Sequence, residues 1–201
     1  MAGKERLSVN TRIMRSIAAG LAVLLCLLVL AGCAPRNDAE KKVSKELGAL
    51  RESDYVGSEV LSLRDSLSDE GKANFDTFLK KLKGFDFEIT GSEETADKDD
   101  SCTLVSVKIK TYDFGREYLA AWTGYLRSDD KTDTEDLTDF YELLFVGLAS
   151  PGEKEYIKTI QIVCVDPLGN GEWIADIKEN EELQDAVFGG MLSEMKALAA
   201  E

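Results

Sequence analysis

Four cysteines and no histidine bound the chemistry open to this 201-residue chain. Without an imidazole there is no Ser-His nucleophile and no histidine base, and zinc loses its usual nitrogen ligand. A glycine-rich phosphate loop, a nucleophile elbow and a CxxC pair are absent as well. Three sets of distinctive residues are left. Cys33 ends the tetrad Leu30-Ala31-Gly32-Cys33 after an apolar run, while Cys102 and Cys164 stand far downstream. Glu93, Glu94, Asp97, Asp99 and Asp100 form one acidic cluster, and Asp129, Asp130, Asp133, Glu135, Asp136 and Asp139 another. Tyr118, Trp122 and Tyr125 recur at helical spacing, and Trp173 follows on a late strand.

Carboxylate oxygens in such clusters can gather a hard cation, but neither has the spacing of a calcium loop. Lys131 sits between Asp129 and Asp133 and no glycine follows. Solvated acidic loops are the expectation, with no metal and no cofactor. The four aromatics read either as core or as the lining of a small-molecule pocket: Tyr118, Trp122, Tyr125 and Trp173. A catalytic pocket would also need a carboxylate whose pKa burial has shifted. Asp113, beside Phe114, and Asp176, in the last strand, are the acids in range, and each also reads as a strand-end or outward charge. No catalytic residue is assigned.

The elements begin with a leader. Lys4, Arg6, Arg12 and Arg15, against the single acid Glu5, precede the fifteen apolar residues Ile17 to Ala31. As a helix that run spans about 22 Å, short of the roughly 30 Å of a bilayer core, so it suits the apolar region of a signal peptide better than a permanent span. The tetrad Leu30-Ala31-Gly32-Cys33 resembles the lipobox of bacterial lipoproteins. That resemblance implies cleavage before Cys33, a diacylglyceryl group on its sulfur, a membrane attached through that lipid, and an extracytoplasmic location for everything that follows. Residues 1–32 are then a signal peptide, 33–37 a lipidated tether and 38–201 a single domain.

Removing the leader changes the formal charge from −14 to −17, because it carries away a net +3. So acidic a chain repels nucleic-acid phosphates, and nucleic acid is excluded as a partner. Cys102 and Cys164 are the two thiols of the domain. They form a disulfide in an oxidising compartment, or they are two separate buried residues. Suppose the strand at Cys102–Tyr112 pairs antiparallel with Glu155–Asp166, with Asp113 and Gly152 or Glu153 at the mouths of the connection. The paired residue numbers then sum to about 266, which sets Cys102 against Cys164.

Periodicity sets out the remaining elements. Val43, Leu47 and Leu50 mark a helix capped by Asp38; Phe75, Phe78, Leu79 and Leu82 mark a second from Ser66 to Lys83, ended by Gly84. The period then becomes two through Phe85, Phe87 and Ile89, followed by an acidic turn from Gly91 to Asp100 and the strand from Cys102. Helices follow at Phe114 to Leu126 and Thr134 to Leu148, with an acidic loop at Ser128 to Asp133. The strand Glu155–Asp166, the turn Pro167–Gly171 and a short strand Glu172–Ile177 make a hairpin. A last helix from Glu181 to Ala199 turns Leu183, Val187, Met191 and Met195 inward and has a weak point at Gly189-Gly190. Phe78, Leu82, Val107, Ile160 and Trp173 are the expected core.

This order is α+β: a curved antiparallel sheet of about four strands, in two hairpins, against several helices. With the hairpin Asn170-Gly171-Glu172-Trp173-Ile174 near its end, it resembles the SnoaL-like and nuclear-transport-factor-type (cystatin-like) cone fold, in particular small bacterial lipoproteins of that fold. The lipobox, the acidic single domain and the missing catalytic machinery lead to the expectation of a non-catalytic, lipid-anchored binding or envelope module for a small molecule, a wall component or a surface protein. The alternative, which the fold resemblance implies, is a small-molecule enzyme of the SnoaL or isomerase kind, working with a pocket carboxylate and tyrosines.

Overall fold

The structure is a computed structural model that describes residues 37–53, 58–96, 101–127 and 137–200. Its first helix, α1 (Asp38–Glu52), begins where the Asn37 side chain accepts the Glu40 N–H at 2.9 Å. The cap is thus one residue earlier than the expected Asp38. Val43 and Leu47 are fully buried, and acids in the first turn and Arg51 in the last complement the helix dipole.

The expected helix from Ser66 to Lys83 is present as α3 (Asp69–Leu82), and a separate helix not expected from the sequence, α2 (Ser58–Ser66), precedes it. Ser68 explains the break: its backbone is extended and its hydroxyl accepts the Gly71 N–H at 3.0 Å, so a new helix starts there. Glu142, from a distant helix, also accepts from the Ser68 N–H and hydroxyl, which brings a carboxylate to the positive end of α3. Arg64 and Asp76 join α2 to α3 through a fork of two 2.8 Å bonds.

Four antiparallel strands form one open sheet in the order β1-β2-β3-β4: β1 (Asp86–Ala96), β2 (Ser101–Thr111), β3 (Tyr156–Asp166) and β4 (Ile174–Ala175). Helices α4 (Phe114–Arg127) and α5 (Thr138–Ala149) connect β2 to β3, and α6 (Glu181–Val187) and α7 (Met191–Ala199) close the chain. The described residues thus make an α+β fold, a four-stranded antiparallel sheet packed against seven helices.

Burial alternates along the strands. Thr103, Val105, Val107, Ile109 and Thr111 of β2 are buried, as are Ile160, Ile162, Cys164 and Asp166 of β3. This inner face meets α1 and α6. In the core, Phe75 packs edge-on against Phe145 and Phe78 edge-on against Phe114, with centroids 5.2 Å apart in the second pair, and a tilted Phe78–Phe145 contact joins the two. Phe78, Leu82, Val107 and Ile160 are buried as expected. Trp173 is only half-buried, because β4 pairs with β3 through just two residues and Trp173 lies outside that ladder.

Three expectations need correction. The acidic turn at Gly91–Asp100 is mostly strand: a bulge between Ile89 and Gly91 shifts the pairing and β1 runs on to Ala96, which puts Glu93 and Glu94 in the ladder. The β2–β3 numbers sum to 267, as in Cys102↔Val165 and Thr103↔Cys164. That slip of one places Cys102 and Cys164 on opposite faces, and both thiols are free. Finally, the last helix breaks at Gly189 and Gly190, with φ of 56° and 80°, and Met195 beyond the break is exposed. Gly189 is required there, since a Cβ would stand 2.0 Å from the Tyr112 carbonyl oxygen, and its own carbonyl accepts the Gly115 N–H at 3.0 Å.

Candidate functional site

Lys158 is a lysine on the inner face of β3, in line with Ile160 and Ile162. A charge in that row needs a partner, and α6 supplies one: the Lys158 ammonium donates to Asp185 Oδ2 at 3.0 Å. The other oxygen of Asp185, Oδ1, accepts the Ser193 N–H at 2.9 Å. Gly190 precedes α7 and has no side chain to cap it, so Asp185 does this from the neighbouring helix. Burial pushes the Asp185 carboxyl upward, but the hydrogen bonds from Lys158 and Ser193 outweigh it and hold the group below the usual aspartate value. Lys158 is raised in return, chiefly by the same hydrogen bond.

This pair forms the wall of a cleft of about 500 Å³, lined by Lys158, Glu182, Asp185, Leu192, Ser193 and Met195 among others. An exposed ion pair between Lys196 and Glu181, 2.7 Å long, stands at its rim. Next to the pair, burial and then the Asp185 charge raise the Tyr156 hydroxyl. The Tyr156 ring also fills the space where a Cβ on Gly190 would lie, 3.0 Å away.

Other buried or capping acids have structural tasks. Glu40 accepts from the Ser92 hydroxyl at 2.6 Å. Asp166 closes the β3–β4 turn by accepting the N–H groups of Asn170 and Gly171 at 3.2 and 2.8 Å. Asp113 accepts the Arg116 N–H at 3.0 Å at the start of α4, and Asp176 is exposed. Neither lines the cleft beside Lys158 and Asp185.

The four aromatics do not make one site. Tyr118, Trp122 and Tyr125 gather around Phe140 with centroids at 5.9, 5.4 and 5.7 Å, three rings of α4 packed on one of α5. They are the seam between two helices, half-buried, and Trp173 has no part in these ring pairs. Burial raises the Tyr118 hydroxyl, with a smaller effect from Tyr141. Leu30, Ala31, Gly32 and Cys33 lie outside the described residues, as do Asp97, Asp99, Asp100 and the loop acids from Asp129 to Asp136. Among the described residues, no three Cys, Asp or Glu side chains are grouped to hold a metal ion, and no helix is long and apolar enough to cross a membrane.

The Lys158–Asp185 pair has no motif, since 27 residues separate its members. Its one signal in the sequence is a lysine in phase with the inward residues of the clearest strand. The geometry defines an α+β domain with an ionic cleft where its last two helices meet the sheet. Comparison with family models, with curated proteins and with solved structures finds no match.

Proposed function

We propose that this chain is an extracytoplasmic lipoprotein, anchored by a diacylglyceryl group on Cys33, whose folded part is a non-catalytic binding module for a small molecule, a wall component or another surface protein. The anchor rests on the basic leader, the fifteen-residue apolar run and the Leu30-Ala31-Gly32-Cys33 tetrad. The kinship with the SnoaL-like and nuclear-transport-factor-type cone fold belongs to the same proposal and rests on the order of elements.

The observation that favours binding over catalysis is the state of Asp185. An isomerase-type site needs a buried carboxylate kept free to take a proton. Asp185 is the buried carboxylate of the cleft, and Lys158 and Ser193 neutralise it and hold its pKa down. Acids and lysines together, over Leu192 and Met195, suit a ligand that carries both charges, such as a short peptide.

Mass spectrometry of the mature N terminus tests the anchor. The expected product begins at a lipid-modified Cys33, and Cys33→Ala should release the protein from membranes or leave an uncut precursor. An unmodified Cys33 within an intact N terminus contradicts the reading. A thermal-shift screen with wall peptides tests the module, since a ligand that binds only the folded state raises Tm.

A further inference from the structure

Among the described residues, α1 and α6 pack on the inner face of the sheet. The outer face holds Cys102, Leu104, Ser106, Lys108 and Lys110 of β2 between the outward residues of β1 and β3. None of the outward residues described is buried. Its composition is uneven. At one end Cys102, Leu104, Val163, Val165 and Ile174 are neighbours across three strands, with Val163 39% and Ile174 58% exposed. At the other end Lys108 pairs across the ladder with Glu88, and Lys110 with Asp86.

An antiparallel sheet with one wet face ordinarily alternates apolar inside with polar outside. The alternation fails over five adjacent residues, and an apolar patch of this kind marks an interaction surface. Charge decides the occupant. Three acids and two lysines give the face a net −1, whereas the whole chain carries −14. Two copies approaching elsewhere meet like charge, and here they meet almost none. Three strands of eleven residues, about 4.8 Å apart and rising about 3.3 Å per residue, offer on the order of 500 Å² before side-chain relief is added. A stable dimer takes about 800 Å² per partner, so the area fits the weak end of the range.

We propose that the outer sheet face is a self-association surface on which a second copy of this chain docks, apolar end upon apolar end. A two-fold axis lying between the stacked faces and parallel to the strands brings like end onto like end, as an isologous contact requires. With sheets about 10 Å apart, the two Cys102 thiols then come within reach of a short bis-maleimide. Cys164 points into the core on the opposite face and is out of reach.

The test uses the full-length chain in whole cells, treated with a short bis-maleimide. The expected product is a cross-linked dimer that Cys102→Ser abolishes. Val163→Asp, which changes an exposed residue and leaves the fold intact by circular dichroism, should cut the dimer yield about tenfold or more while a mono-maleimide still labels Cys102. A Cys102 that takes the mono-maleimide but never cross-links overturns the proposal. So do an adduct of another mass, a dimer that Val163→Asp leaves unchanged, or a Cys102 shielded from all label, which would mean a different occupant.

Discussion

The two faces of the sheet differ more than alternation alone would make them. Neighbouring residues of one strand show it: Ile162 is fully buried beneath α1 and α6, while Val163, one position on, is 39% exposed. The inner face is defined by what covers it and tolerates a polar group only when that group has a partner, as Lys158 has in Asp185. The outer face carries apolar residues that stay exposed, Val163 and Ile174 among them. Hydrophobicity alone therefore does not say which face is core; the phase of the strand does.

A substitution on each face should break or sharpen this contrast most strongly. Ile162→Asp places an unpaired charge in the core and should cost more than about 4 kcal/mol, enough to unfold a domain of ordinary stability. Val163→Asp should stay within about 0.5 kcal/mol of the wild type. Equal losses in chemical denaturation would mean that the faces are misassigned.

Next in size is the corner that holds α6 and α7 against the sheet. Gly189→Ala drives a Cβ into the Tyr112 carbonyl and should cost about 3 kcal/mol or more. Gly169 has a similar φ of 62° on the exposed turn, with nothing within 4 Å of a Cβ, so Gly169→Ala should cost only about 1–2 kcal/mol. Thermal melts of the two variants would separate steric contact from backbone strain. A Gly189→Ala melt no lower than that of Gly169→Ala would show that the corner is loose.

The smallest of these effects is electrostatic. Asp185 lies below its usual pKa, so its contribution is present above the usual aspartate value and is lost as pH falls through the lower folded value. Lys158 is raised, so its contribution is present below the usual lysine value and fades as pH climbs through the folded one. The pair therefore stabilises from about pH 4 to about pH 10. Lys158→Met should cost about 1–3 kcal/mol at pH 7, less than a fully buried pair because Lys158 is one-third exposed. The loss should shrink as pH falls and Asp185 takes up a proton. A loss that does not change with pH would mean the pair contributes packing alone.

Strong periodicity made much of the fold legible in the sequence. Val43 with Leu47, and Phe75 with Phe78 and Leu82, fall on the buried faces of their helices. The extent of β1 was hidden because its inward positions past the bulge are Ser92 and Glu94, polar residues that read as a turn; the register sets Ser92 opposite Val105, and its hydroxyl donates a hydrogen bond to Glu40. The β2–β3 register missed by one because the mouths of a helical connection do not fix the first paired residues, here Thr111 and Tyr156. The candidate site was barely legible. Asp185 and Lys158 meet only after the turn at Asp166–Gly171 folds the chain back, and the aromatic set proved to be a helix seam.

The two cysteines test the register and the two faces together. Cys164 is fully buried, and burial pushes its thiol up to about 12, which leaves roughly one part in 10⁴ as thiolate at pH 8. Cys102 is half-exposed on the other face. Purified, unreduced full-length protein would be treated with a maleimide at pH 8, before and after denaturation, and the labelled peptides identified by mass spectrometry. The expected result is rapid native labelling of Cys102, protection of Cys164, and labelling of both once the chain is unfolded. Two thiols that stay unlabelled after denaturation would mean a disulfide between them, and with it a sheet shifted by one residue, contradicting the arrangement of both faces.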